Sequence, residues 1–82
     1  MEEIKEADLS FESNYWSYQI LYKGHRIGGA GSNPQTRRTQ ANIIFHQDMA
    51  KITIRDILNG RIADFMKRNI EAIQERETVN QR

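Results

Sequence analysis

The chain has 82 residues, a formal net charge of +1 and no cysteine. A chain this short can build one small hydrophobic core, so we expect a single domain over residues 1–82. The missing cysteines exclude disulfide bonds and thiolate metal sites, and the balanced charge excludes a nonspecific polycation.

The hydropathy of the chain and its first residues indicate where in the cell the protein is located. No apolar run approaches the roughly 20 residues that cross a bilayer, and Met1-Glu2-Glu3 lacks the positive charge with which a secretory signal begins. We therefore expect a cytoplasmic protein without a membrane span. Because a domain of this size hides only about 60 % of the surface of its unfolded chain, we also expect a homodimer or a higher homo-oligomer.

The charges are distributed unevenly along the chain. Residues 1–12 are predominantly acidic, whereas residues 13–47 contain no acidic side chain. The Lys and Arg residues of this acid-free segment are Lys23, Arg26, Arg37 and Arg38. An anionic ligand would therefore meet the least repulsion in this part of the chain.

An antiparallel sheet is predicted before residue 32. Leu9 and Phe11 alternate with polar residues, which is the period of a strand with one buried face. The clearest strand covers residues 15–22, and four of its large side chains share a face: Trp16, Tyr18, Ile20 and Tyr22. We assign this face to the core, although exposed aromatic side chains can also stack on nucleic-acid bases. Residues 23–25 then form a turn, and a third strand begins at Arg26.

Residues 27–38 hold three of the five glycines and the only proline, and we predict that they join the sheet to a helix. Ser32 or Asn33 would cap this helix, and Pro34 would take its first position, where a missing N–H costs nothing. Glycines ahead of a helix start let a phosphate approach the backbone N–H groups at the positive end of the helix dipole. The alternative is that the glycines serve only the path of the chain.

A helix is predicted to follow this junction. Residues at spacings of three and four form one apolar stripe over residues 34–52: Ala41, Ile44, Phe45, Met49 and Ile52. The β-branched residues within 43–54 leave a hairpin as the alternative. At Thr53 the stripe changes face, which favours a separate short helix that ends near Leu58.

The final predicted helix carries a second apolar stripe, made of Ile62, Phe65, Met66, Ile70 and Ile73. If both stripes exist and one of them covers the sheet, the other would make a symmetric dimer. Residues 1–6 and 75–82 lack apolar periodicity and are expected to fray. The predicted fold class is α+β, with a small antiparallel β-sheet (a hairpin or three strands) followed by two or three α-helices.

We predict a small non-catalytic binding protein. Its ligand would be a phosphate-bearing molecule, either nucleic acid or a soluble nucleotide, held at the basic glycine-rich junction between strand and helix. The predicted ligand-binding residues are Lys23, His25, Arg26, Gly28, Gly29, Gly31, Ser32, Arg37 and Arg38. The alternative is a protein-interaction module or inhibitor that binds a partner protein through its acidic N-terminal segment or its apolar C-terminal helix.

Catalytic and metal-binding patterns are not found in this sequence. His25 and His46 are the two histidines, and neither has acidic residues at the spacing of a metal site. We therefore predict no catalytic residue, no metal and no cofactor, and we expect each histidine to be exposed or half-buried.

Overall fold

A computed structural model of the chain describes residues 1–33, 35 and 39–80. It confirms the α+β prediction, because a three-stranded antiparallel sheet is followed by two helices. A short 3₁₀ turn over Glu6–Asp8 precedes the sheet. The strands are β1 (Leu9–Ser13), β2 (Ser17–Tyr22) and β3 (His25–Gly31), and the helices are α1 (Gln40–Leu58) and α2 (Asp64–Asn80).

The strands lie in chain order, with β2 in the middle. The side-chain oxygen Oδ1 of Asn14 accepts hydrogen bonds from the backbone N–H groups of Trp16 and Ser17, which closes the turn between β1 and β2. Lys23 and Gly24 form the turn between β2 and β3, with φ of 50° and 82°. Two consecutive left-handed residues match the right-handed twist of a hairpin. The predicted three-residue turn is therefore one residue too long, and His25 belongs to β3.

Both helices pack on one face of the sheet. Helix α1 covers β1 and β2, and α2 covers β3. The aromatic face predicted for β2 is the core face, because Ile20 and Tyr22 are buried and Tyr18 packs against them. The buried apolar side chains are Leu9, Ile20, Tyr22, Ile27, Ala50, Ile57, Ile70 and Ile73. The other face of the sheet carries no helix among the described residues.

Helix α1 differs from the prediction in its limits. It begins at Gln40, with Thr39 at the N-cap position, whereas the predicted first residue, Pro34, lies outside the described residues. It continues to Leu58 without a break, so the hairpin alternative and the separate short helix are both wrong. Thr53 Oγ1 donates a hydrogen bond to the carbonyl oxygen of Met49 within the helix and does not cap a new one.

The stripe predicted as the apolar face of α1 is not its buried face. The helix buries His46, Ala50 and Ile57, whereas Ile44, Phe45 and Ile52 are about half exposed. Isoleucines occur on several sides of this helix, so the spacing of apolar residues does not by itself identify the side that meets the sheet.

Helix α2 agrees with the prediction at its centre and extends further at its end. Ile70 and Ile73 are buried as expected, and the helix continues through Asn80, past the residue at which fraying was expected to begin. At the other end of the chain, Ile4 packs against the core, and the backbone N–H of Glu2 donates to Gln74 Oε1 at 3.1 Å. Residues 81–82 lie outside the described part. Among the described residues, no helix has the length and apolar composition needed to cross a membrane.

Candidate functional site

The predicted basic residues around the β2–β3 turn lie on the surface of the hairpin. Lys23, His25 and Arg26 are all exposed. The register pairs His25 with Tyr22 and Arg26 with Leu21, so Arg26 points to the helix-free face of the sheet. Two other predicted ligands, Arg37 and Arg38, lie outside the described residues.

Lys23 already has an anionic partner. Its Nζ lies 2.7 Å from Glu77 Oε2 on α2, and it also lies 5.5 Å from the centre of the Tyr22 ring. The hydrogen bond to Glu77 raises the pKa of Lys23 above its ordinary value, because it favours the charged form of the amine. A phosphate at this position would have to compete with the Glu77 carboxylate, so His25 and Arg26 are the more accessible cationic candidates.

The glycines do not form a loop ahead of a helix. Gly28, Gly29 and Gly31 all belong to β3, and they pair with Ile20, Gln19 and Ser17 of β2. The prediction of a glycine-rich junction is therefore corrected to a glycine-rich edge strand. Since α1 begins at Gln40, the described helix start and these glycines are separate in the chain.

Close packing accounts for two of these glycines. A Cβ atom added to Gly28 would lie 2.8 Å from Met66 Cε, so a side chain there would require the Met66 side chain of α2 to move. A Cβ atom added to Gly29 would collide with the backbone carbonyl oxygen of Tyr18. Ser32, the predicted helix cap, instead binds the sheet, because its N–H donates to the Trp16 carbonyl oxygen at 2.7 Å. The structural alternative thus explains Gly28 and Gly29 without a ligand.

A shallow depression of about 460 Å³ lies at the end of the sheet away from the Lys23–Gly24 turn. Arg26 contributes to its wall, and so does Glu12, whose Oε2 accepts a hydrogen bond from Gln19 Nε2 at 2.5 Å. The remaining lining residues are Ser13, Asn14, Ser17, Tyr18, Ala30 and Gly31. One cation beside one carboxylate gives this depression no strong preference for anions.

The exposed face of α1 is the surface that the sequence pattern misassigned. Ile44, Phe45 and Ile52 are 53 %, 54 % and 47 % exposed, and we call these three residues the α1 stripe. Phe45 and Ile52 are seven residues apart, which places them on the same side of the helix two turns apart. The spacing in the sequence revealed the stripe, but only the packed structure shows that it faces outward.

His46 is the buried counterpart of this stripe. It is one of two buried polar residues among those described, and its ring lies 5.9 Å from the ring of Tyr18 and 5.3 Å from that of Phe45. Its Nδ1 atom has no hydrogen-bond partner in the described part of the chain. The expectation of an exposed or half-buried side chain is wrong for His46, because its ring packs between α1 and β2, whereas His25 is exposed as expected.

Among residues 1–33, 35 and 39–80, no three His, Asp or Glu side chains gather as a metal site requires. Known proteins give no further indication of function: no protein-family model, curated protein or solved structure matches this chain.

Proposed function

We propose that the chain is a non-catalytic protein-interaction module that pairs with a second copy of itself through the α1 stripe. The observation that carries this proposal is the half-exposure of three large apolar side chains on one helix. Large apolar side chains that share the exposed side of one helix mark a candidate protein contact in a small domain. Each copy would gain buried area that its own small core does not supply.

A two-fold pairing of the helices suits this stripe. When two copies of α1 pack antiparallel, Phe45 of one copy lies opposite Ile52 of the other, and each contact occurs twice. In this register Asp48 of one copy lies opposite Met49 of the other, so the two exposed Asp48 side chains lie near each other at the centre of the contact. Because salt screens the repulsion between them, we expect the dimer to strengthen as the salt concentration rises.

The molecular mass in solution tests this proposal. We expect light scattering to give the mass of a dimer, and we expect Phe45→Asp to shift the protein to the mass of a monomer because it places a charge in the apolar contact. Val79→Asp is the matched control, since Val79 is an exposed apolar residue of α2 outside the stripe. Monomeric wild-type protein up to about 1 mM, a concentration at which weak contacts form, would contradict the proposal.

A second candidate function is the binding of a phosphate-bearing ligand, either nucleic acid or a nucleotide, through the exposed basic residues at the start of β3. His25 and Arg26 are both exposed there, and because they point to opposite faces of the sheet, such a ligand would extend around the end of the hairpin. Arg37 and Arg38 would add to this surface only if the segment between β3 and α1 brought them to it. Gly28, Gly29 and Gly31 would affect this ligand site only by setting the backbone path of β3.

Titration with labelled single-stranded RNA, DNA and ATP at low salt tests this second candidate. We expect binding to weaken with Arg26→Ala and steeply with added salt, because each phosphate contact releases counterions. Lys67→Ala is the matched control, as it removes one exposed cation from α2. An ordinary protein ultraviolet spectrum after purification, together with no binding at low salt, would refute this candidate.

A further inference from the structure

We propose that the free edge of β1 and the groove beside it bind an extended peptide that carries apolar side chains and an acidic side chain on one face. This inference goes beyond the proposed function, because no residue of the α1 stripe lines the groove. Ile54 of the groove follows Phe45 by nine residues, or two and a half helical turns.

The backbone of β1 offers unpaired hydrogen-bonding groups. The Lys23 N–H donates to the Asp8 carbonyl oxygen, and the Asn14 N–H donates to the Ser17 carbonyl oxygen. Because alternate residues of an antiparallel strand bond to the same neighbour, the even-numbered residues of β1 bond to β2. The N–H and C=O groups of Phe11 and Ser13 therefore point away from the sheet, and no described residue pairs with them.

The two edges of this sheet differ in their protection. Strand β3 is interrupted by a bulge where Ile20 pairs with Gly28 and Leu21 pairs with Arg26. Such a bulge disrupts a further ladder. Strand β1 pairs with β2 in an unbroken register and contains neither proline nor lysine. Strand β1 is therefore the edge to which a further strand can be added.

A groove of about 540 Å³ runs between this edge and α1. Its floor is apolar and is formed by Leu9 and Phe11 of β1 with Ile54 and Leu58 of α1. The side chains of an added strand that lie opposite Leu9 and Phe11 point to the same side of the sheet, which is the helix side. Apolar side chains two residues apart in the peptide would thus enter the groove while the peptide backbone pairs with β1.

The charges around the groove specify the rest of the peptide. Lys51 and Arg55 line the groove. The described residues contain one ion pair, which joins Lys23 to Glu77, so neither groove cation is neutralised within that part of the chain. Glu6 also lines the groove, on the chain segment before Leu9. Ser13 pairs with Tyr18, and His46 of α1 lies beside Tyr18, so α1 runs from the Ser13 end of β1 towards its Leu9 end. Lys51 precedes Arg55 on this helix, so an acidic side chain of the peptide opposite Ser13 would lie towards Lys51 and away from Glu6.

These charges favour a partner peptide over a second copy of this chain. The residues of β1 that point to the helix side are Leu9, Phe11 and Ser13, so a second β1 strand would bring no acidic side chain of its own opposite Lys51 and Arg55. If the peptide runs antiparallel to β1, its acidic residue comes first from the N-terminus, and two apolar residues follow at alternate positions.

Selection from a phage-displayed library of random octapeptides tests the inference on the full chain. We expect the enriched sequences to follow the pattern acidic, any, apolar, any, apolar. Failure to enrich any peptide, or enrichment of peptides without this period, would overturn the inference.

Variants of the chain then test the site with the most enriched peptide, labelled for fluorescence anisotropy. We expect the double change Lys51→Glu and Arg55→Glu to weaken binding roughly tenfold, since two exposed charge contacts are reversed. The matched control is Lys67→Glu with Arg68→Glu, which reverses two exposed cations of α2. Equal binding by the groove variant and the wild type would place the peptide elsewhere and overturn the inference.

The backbone contact has its own test. Ser13→Pro removes an N–H that points away from the sheet, so it should block the added strand while the ladder to β2 remains. Because this variant can lose stability, the same peptide N-methylated at its two apolar residues provides an independent measurement on the wild-type chain. We expect both changes to abolish binding, and unchanged binding of the N-methylated peptide would exclude strand addition.

Discussion

Two isoleucines of α1 allow the orientation of this helix to be tested with one kind of substitution. Ile57 is 4 % exposed and belongs to the core, whereas Ile52 is 47 % exposed and belongs to the α1 stripe. Replacing a buried isoleucine by alanine costs about 2–5 kcal/mol, because the transfer free energy is lost and a cavity remains. A half-exposed isoleucine loses about half of its transfer free energy and leaves no closed cavity, so Ile52→Ala should cost at most about 1 kcal/mol.

Thermal unfolding followed by helical circular dichroism measures this difference. At about 4–8 °C per kcal/mol for a domain of this size, we expect Ile57→Ala to lower Tm by about 8–40 °C and Ile52→Ala by no more than about 8 °C. The measurement needs two protein concentrations, because self-association through the α1 stripe would add a concentration-dependent stabilisation to the wild type. Equal losses for the two variants at the lower concentration would refute the assignment of the core face of α1.

Other predictions concern the glycines of β3, the ion pair and the buried amide. Gly29→Ala should cost about 1–3 kcal/mol of unfolding free energy, because its Cβ would collide with the backbone of β2. Gly31→Ala should cost less than Gly29→Ala, because its Cβ would lie 3.4 Å from the nearest atom. Similar losses for the two variants in urea unfolding would contradict this account. The raised pKa of Lys23 means that its stabilisation is fully present below the unfolded-state pKa of about 10.4 and is lost as pH rises through the higher folded-state value. The difference in unfolding free energy between wild type and Glu77→Gln should therefore be constant from neutral pH to about pH 10 and should vanish once the pH exceeds the folded-state pKa of Lys23. A difference that persists in strong alkali would show that the ion pair does not cause it. Tyr22→Phe should cost about 1–2 kcal/mol, since Gln74 Nε2 lies 3.1 Å from the Tyr22 hydroxyl oxygen in the core; an unchanged unfolding free energy would show that this hydrogen bond contributes nothing.

The sequence by itself determined the fold class and the inner face of the sheet. The alternation in β2 places its large side chains on one side, and a strand has only two sides, so a period of two identifies the buried one. The central part of α2 is similarly clear, because its apolar residues lie on one side and charged residues lie on the others. Composition alone excluded disulfide bonds.

Only the tertiary structure decided which side of α1 meets the sheet. Large apolar residues lie on several sides of this helix, so apolar residues at helical spacing occur on more than one face. They are Ile43, Ile44, Phe45, Ile52, Ile54 and Ile57. The sheet selected the side with Ala50, whose small side chain lets the helix approach closely, and it also buried His46. The same selection left the α1 stripe outside the core.

The tertiary structure also decided what the glycines do. Their order in the sequence fits a loop before a helix equally well, since glycine permits both a loop and a close contact between backbones. Met66 lies against Gly28, and the backbone of β2 lies against Gly29, and neither neighbour is near them in the sequence. Contacts between residues far apart in the chain therefore determined the role of these glycines, whereas the local pattern of polar and apolar residues determined the strands.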